Sequence, residues 1–395
     1  MKRLFLLVVF MALLGHTAQA QTAPPHLRYF GFALIDVFWD DPHDTSAITN
    51  YLSEVDTFSN VAHLAVYSPT DTIVQRVANM NSRCVLPFLH IQQVLFEYED
   101  ANGPSGANYG LRSDYLSRWN QFLAINQQVI TPASIGAFYI MDEPYWNGVT
   151  YAELDTVCSL LQQGFPGIPV FLVEAYTMMN QFQAPPTADW LAFDMYGIFD
   201  PPNDAQFMQN LTLLKNARSS PTQELFLIID DQWITSYGQA GYAPDTIEYM
   251  VQNYYDLAVV DTSIAGLIGY LWAGGFDEPA QLGVRNMPVN VIQKNVAIGR
   301  GIKNNFNPCS ASGVQPVAEM PGAAVFPNPA SDVLEVKFAG REAVCRLYNS
   351  EGKLVLQQQA VNQCVFDVKA CAPGIYFVRI EAGEAVVSQK FIIFR

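Results

Sequence analysis

The chain has 395 residues, half of them hydrophobic and 13% aromatic, and its 37 acids against 21 Lys and Arg leave a formal net charge of −16. A disordered chain would be poorer in apolar residues and richer in charge, so disorder is excluded. The acidic excess repels phosphate and argues against a nucleic-acid partner. What remains is one large domain or two ordinary ones, long enough to bury a core.

The first twenty residues read as an export signal. Lys2 and Arg3 precede an apolar run from Leu4 to Leu14, and Ala18-Gln19-Ala20 is a small-x-small cleavage site. An apolar run this short does not reach the roughly 20 residues that span a bilayer, which argues against the alternative of a membrane anchor. The mature chain then starts at Gln21, with no transmembrane segment expected after cleavage.

From residue 29 to 304 one pattern repeats: a buried apolar strand, a polar or aromatic strand end, then a helical stretch. The strands are Tyr29–Asp36, Val61–Ser68, Cys84–Ile91, Ile135–Asp142, Val170–Tyr176, Trp190–Ile198, Leu225–Asp231 and Gly266–Ala273. Near-continuous apolar runs suit a parallel sheet covered on both faces. Helical stretches fall at Ser46–Phe58, Thr70–Met80, Ser113–Gln128, Tyr151–Gln163, Ala205–Ala217, Thr246–Val259 and Met287–Asn304. The segment Thr177–Asp189 has room for a short helix at most. Eight such units predict an α/β fold, a (β/α)8 TIM barrel over residues 21–308. The alternative, an open doubly wound sheet, usually carries a Gly-rich first turn, and no GxGxxG or P-loop follows any strand.

Function in this barrel sits at the C-terminal strand ends. Those ends supply Asp36, Trp39, Tyr67, His90, Asp142, Glu143, Tyr145, Trp146, Glu174, Tyr176, Asp194, Tyr196, Asp230, Asp231, Trp233 and Trp272. Acids interleaved with Trp and Tyr suit a sugar-binding cleft, because rings stack on pyranose faces while acids bind hydroxyls. Aromatic packing beneath loops is the plainer alternative. His63, mid-strand among apolar neighbours, reads as a core histidine. Asp40-Asp41-Pro42-His43-Asp44 offers oxygens but no EF-hand spacing, and reads as a turn and helix cap. No metal and no cofactor is expected.

The fourth strand ends in Ala137-Phe-Tyr-Ile-Met-Asp-Glu-Pro-Tyr145. This resembles the glycoside hydrolase superfamily of barrels, in which an Asn-Glu-Pro at that point supplies the acid/base glutamate. The resemblance implies that Glu143 donates a proton to the leaving oxygen and that Trp272 forms an aromatic platform. Two departures stand out. Asp142 occupies the place of the usual Asn, and the seventh strand ends in Asp230-Asp231-Gln232-Trp233 where retaining families place a nucleophilic Glu. Asp231 is the leading second carboxylate, with Glu174 and Asp194 as competitors. Glycosidic cleavage needs two carboxyl groups, one protonated and one ionised. Asp142 beside Glu143 would raise the glutamate's pKa by like-charge repulsion.

The last 75 residues change texture. Pro and Gly at 321 and 322 read as part of a linker over residues 309–323, and short alternating strands with turn signals follow as a small all-β sandwich. Val325-Phe-Pro-Asn-Pro-Ala-Ser-Asp332, Leu347-Tyr-Asn-Ser-Glu-Gly-Lys353, Pro373-Gly-Ile-Tyr-Phe-Val-Arg379 and Lys390-Phe-Ile-Ile resemble the C-terminal sorting domain of the type IX (Por) secretion system. The match spans residues 324–395 and implies a Bacteroidetes-type bacterium, contact with the type IX machinery, and release or surface attachment. An ordinary carbohydrate-binding sandwich is the alternative. The six cysteines show no CxxC or zinc spacing, and Cys345 with Cys364 is a possible pair in the small domain. The combined expectation is a secreted glycoside hydrolase acting on a poly- or oligosaccharide by two-carboxylate chemistry; the alternative is a non-catalytic glycan-binding or adhesion barrel.

Overall fold

The structure, a computed structural model, describes residues 22–311, 324–326, 330–349, 353–382 and 385–393. The expected signal peptide and most of the expected linker lie outside these. The chain divides into two compact units between Ser312 and Gly313.

Eight strands close the first unit into a barrel: β1 Tyr29–Asp36, β2 Val61–Ala65, β3 Leu86–His90, β4 Ala137–Asp142, β5 Val170–Ala175, β6 Trp190–Asp194, β7 Glu224–Asp230 and β8 Ile264–Tyr270. They follow one another around the barrel in chain order, all parallel, and β8 closes on β1. Every residue of β2, β5 and β6 is buried. That is the consequence of strands covered on both faces.

Alternation along each strand sends one set of side chains inward and the other toward the helices. Phe88, Phe171, Trp190, Phe226 and Ile268 fill the barrel. Leu225, Leu227 and Ile229 of β7 join the outer layer instead. Each fully buried side chain of this size contributes roughly 1.5–3 kcal/mol. Gly266 has a packing reason, since a Cβ there would lie 2.4 Å from the Phe226 ring.

The outer layer is made by α1 Val74–Ser82, α2 Tyr115–Asn126, α3 Tyr151–Gly164, α4 Ala205–Ala217, α5 Ile247–Val260 and α6 Val289–Lys303. The helix expected over Ser46–Phe58 shrinks to one turn, Leu52–Val55. The chain before it is committed elsewhere: Asn50 bridges to Asp36, and the Tyr51 hydroxyl donates to the Trp39 and Ile48 carbonyls. A hairpin of Phe96–Asp100 with Asn108–Leu111 was not expected from the sequence. A disulfide joins Cys84, just before β3, to Cys309, 225 residues on.

The second unit is a five-stranded antiparallel sheet: β9 Ala324–Phe326, β10 Val333–Asn349, β11 Leu354–Asp367, β12 Gly374–Ala382 and β13 Ala385–Ile393. The expected short strands merge in pairs into the long β10 and β11. The register of β10 against β11 shifts between Lys337 and Glu342. Burial accordingly passes from Leu334, Val336 and Phe338 to Ala343, Cys345 and Leu347. This change of parity, typical of a bulge, makes one strand read as two. Cys345 and Cys364 are buried free thiols that hydrogen-bond to each other, not a disulfide.

Candidate active site

The Asp-Glu-Pro motif sits where β4 leaves the barrel. Glu143 has φ 45°, a left-handed conformation that costs a non-glycine residue on the order of 1–3 kcal/mol and persists only where its surroundings impose it. Here they do. The Glu143 N–H donates to the Val173 carbonyl (3.0 Å), and the Asn147 N–H donates to the Glu143 carbonyl (2.9 Å). Glu174, at the end of β5 and fully buried, accepts the N–H groups of Tyr145 (2.8 Å), Trp146 (3.1 Å) and Ala175 (3.0 Å). Just beyond, the Thr150 hydroxyl oxygen accepts the Glu153 N–H while the Glu153 carboxylate accepts the Thr150 N–H. That capping box starts α3.

The loop presents a group of acids. The Glu143 carboxyl shares a hydrogen bond with Asp194 of β6, and Tyr139 donates its hydroxyl to Asp142. Burial, then the neighbouring Asp142 charge, push Glu143 up to about 7. Burial and the Glu143 and Asp142 charges lift Asp194 well above the usual carboxylate range, so Asp194 keeps its proton and donates it to Glu143. Burial also raises Asp142. Two carboxyls this close cannot both ionise, and at neutral pH a proton remains between them.

Beside this group the barrel mouth opens into a cavity of about 220 Å³. Asp142, Asp194, Tyr139, Tyr196 and Tyr270 are among its lining residues, together with apolar Leu34, Phe88, Phe171, Val173, Ile228 and Ile268. The Tyr196 hydroxyl lies 3.2 Å from Asp194, and the Tyr196 and Tyr270 rings lie 5.2 Å apart between centroids. Tyr67, Phe38 and Phe276 stand exposed around the opening.

His90 lines the cavity with its nitrogens already engaged. The Leu34 N–H donates to His63 Nδ1 (3.3 Å), so His63 Nε2–H points at His90 Nδ1 (3.1 Å), and His90 Nε2–H at Gln92 Oε1 (3.2 Å). One backbone donor fixes both tautomers in this chain. Burial lowers both imidazoles, His90 to about 4, and keeps them neutral.

Of the other residues singled out in the sequence, Tyr67, Asp142, Asp194 and Tyr196 line the cavity. Trp39 stands at the rim, its Nε1–H on the Gly274 carbonyl (2.9 Å) and its ring against Phe276. Tyr145 and Trp146 belong to the loop after Glu143, held by Glu174 of β5, and Tyr176 is exposed beyond β5. Asp36 is buried in an ion pair with Arg76 (2.8 Å). Asp230 accepts the Gly197 N–H (2.6 Å) and the Tyr237 hydroxyl, while Trp233 donates to the Tyr242 carbonyl.

Two expected positions are corrected. Asp231 does not face Glu143: Phe226 and Ile228 point inward, so Asp230 ends the inward series and Asp231 turns outward, where Asn295 of α6 donates to it (3.2 Å). Trp272 is no platform either. The strand ends at Tyr270, and Trp272 packs outward on Phe32 and Phe58 with its Nε1–H on Glu54 (2.6 Å). Tyr270 takes the mouth position in its place. Sequence reading missed Tyr139, Tyr270, Phe276 and Asp277. Tyr270 was hidden because the eighth strand was expected to run on to Ala273, whereas it ends at Tyr270; Asp277 was signalled by nothing, since it lies in a loop.

Residues 324–394 match the family model described as a secretion system C-terminal sorting domain. The tail is a type IX sorting domain. It addresses the protein to the cell surface or the medium, through the type IX machinery. Part of the chain is similar to the structure of PorZ, a surface component of the type IX secretion system of Porphyromonas gingivalis, at 19% identity over 20% of this chain and 12% of that one (TM-score 0.19). Others are similar over the barrel as well. A Cellulomonas fimi endo-β-1,4-mannanase is 11% identical over 94% of both chains (TM-score 0.46). A Bacteroides uniformis β-glucuronidase is 12% identical over 93% of this chain and 46% of that one (TM-score 0.45). At such identities and scores these likenesses bear on neither substrate nor chemistry. No curated protein matches the sequence.

Proposed function

We propose that the protein is an exported glycoside hydrolase, its signal peptide ending at Ala20 and its barrel domain running over residues 21–308 from a Bacteroidetes-type cell. A poly- or oligosaccharide lies across the barrel mouth, and Glu143 protonates the leaving glycosidic oxygen. One observation carries this reading: at the end of β4 a glutamate on a strained, over-determined backbone is held near pKa 7 beside a second carboxyl. A general acid works best when its pKa lies near the working pH, because the proton is then both present and transferable. Exposed Tyr67, Phe38 and Phe276 supply ring faces for sugar stacking around the opening.

The test is release of reducing ends from a panel of polysaccharides by the full mature chain and by Glu143→Gln. The variant keeps the shape and loses the proton, so its rate should fall about a hundredfold or more. Glycan binding by both proteins with no release by either would instead select the non-catalytic barrel. The Glu143–Asp194 hydrogen bond favours that second reading, since it brings these two carboxyls closer than the ~5–9.5 Å at which glycosidase pairs flank a sugar.

A further inference from the structure

A glycosidase needs a second carboxylate, and most of the acids at the mouth are committed. Asp194 is buried and bonded to Glu143. Glu174 holds three backbone amides. Asp230 is buried under Gly197 and Tyr237, and Asp231 faces α6. Asp142 takes the Tyr139 hydroxyl and adjoins Glu143 in the chain.

Asp277 differs from all of these. It lies on the loop after β8, directly after Phe276, which lines the cavity, and it is exposed. Its place is fixed by fully buried Gln281, whose Oε1 accepts the N–H groups of Phe276 and Asp277 (both 2.9 Å). Asp277 Oδ2 accepts the Tyr270 hydroxyl (2.8 Å) and the Gln281 amide (2.7 Å). Its Oδ1 takes no hydrogen bond among the described residues. A chain of contacts then crosses the mouth, from Asp277 to Tyr270, to the Tyr196 ring, to Asp194 and so to Glu143. Two phenol rings lie along this path, and the Asp277 charge is near enough to act on both Asp142 and Glu143.

We propose that Asp277 is the catalytic base of this site, activating a water through Oδ1 for single-displacement hydrolysis with inversion. The water oxygen bonds to the anomeric carbon as the glycosidic C–O bond breaks. The water's proton passes to Asp277, the Glu143 proton passes to the leaving oxygen, and one water is added across the bond. Inverting pairs are separated by ~6.5–9.5 Å to admit that water. Tyr270 and Gln281 are positioning residues, holding Oδ2 so that Oδ1 is the basic oxygen.

This inference rests on the glycosidase reading, and one experiment separates the two. The full mature chain, Glu143→Gln and Asp277→Asn are assayed on a polysaccharide that the wild type cleaves and on the 2,4-dinitrophenyl glycoside of its terminal sugar. Dinitrophenolate leaves without a proton, so Glu143→Gln should keep most of its rate on the aryl glycoside. Asp277→Asn should lose about a hundredfold on both substrates. Azide, a nucleophile that needs no base, should restore turnover by Asp277→Asn and yield the inverted glycosyl azide, and wild-type product should first appear as the inverted anomer by NMR. Asp277→Asn with wild-type rates, lost activity that azide does not restore, or a retained product anomer would each overturn the role given to Asp277. A wild type that cleaves no substrate overturns the glycosidase reading itself.

Discussion

Asp142 is the residue at which this site departs from the Asn-Glu-Pro pattern it resembles, and its charge is the second cause, after burial, of the raised Glu143 carboxyl. An acid raised by a like charge relaxes when that charge is removed. Asp142→Asn should therefore lower the Glu143 pKa. Glu143 acts protonated, so the wild-type rate falls as pH rises through about 7, and the variant's alkaline limb should move to lower pH. Profiles of kcat/KM for the two proteins check this; a limb that stays in place or moves upward would remove Asp142 from the electrostatics. Glu174 shows a different use of the same chemistry. Three amides favour its charged form, yet burial outweighs them and holds it up at about 7, and its work is to fix the Glu143 loop. Nothing in the local sequence separates these roles, because both acids simply end apolar strands.

At the scale of elements, alternation made the barrel readable and also marks where reading failed. All eight strands were visible as apolar runs, and β1 has the bounds expected. Inward and outward faces hold while a strand lasts, so Phe226 and Ile228 carry Asp230 inward and Asp231 out. Past a strand's last residue the rule lapses, and Trp272 turned out to pack under the barrel wall while Tyr270 took the mouth. Pairing across long separations was equally hidden. Cys84–Cys309 ties the start of β3 to the chain after α6 over 225 residues. Closing so long a loop removes much unfolded-state entropy, and losing such a bridge typically costs roughly 2–5 kcal/mol. A double Cys84→Ser, Cys309→Ser variant should unfold at a visibly lower temperature than the wild type, and reductant should lower only the wild type. Equal midpoints with and without reductant would show that the bridge does not form.

For the whole molecule, 30 of the 37 acids fall in residues 21–320, and several are held protonated inside the barrel. Glu143 and Glu174 are raised to about 7 and Asp230 to about 6, while Asp194 and Asp231 stand well above their ordinary range. A carboxyl whose folded pKa is raised binds more protons folded than unfolded, so its stabilisation is lost as pH climbs through the folded value. Neutral His63 and His90, both lowered, act in the opposite sense, but only below the unfolded imidazole pKa of about 6.5. Between about pH 6.5 and 7.5 the carboxyls dominate, each by up to about 1.4 kcal/mol per pH unit, before Lys303, lowered by burial to about 8, begins to act in the opposite sense. The thermal midpoint should fall steadily over that window; a flat or rising midpoint would mean these acids are already ionised in the fold.

Glu143 as proton donor is tested most directly by the pH dependence of reducing-end release from one polysaccharide by wild type and Glu143→Gln, measured side by side. The wild-type rate should decline through about pH 7, and the variant should be about a hundredfold slower at its best. A variant that cleaves the polysaccharide as fast as the wild type, with the same alkaline limb, would contradict Glu143 as the proton donor.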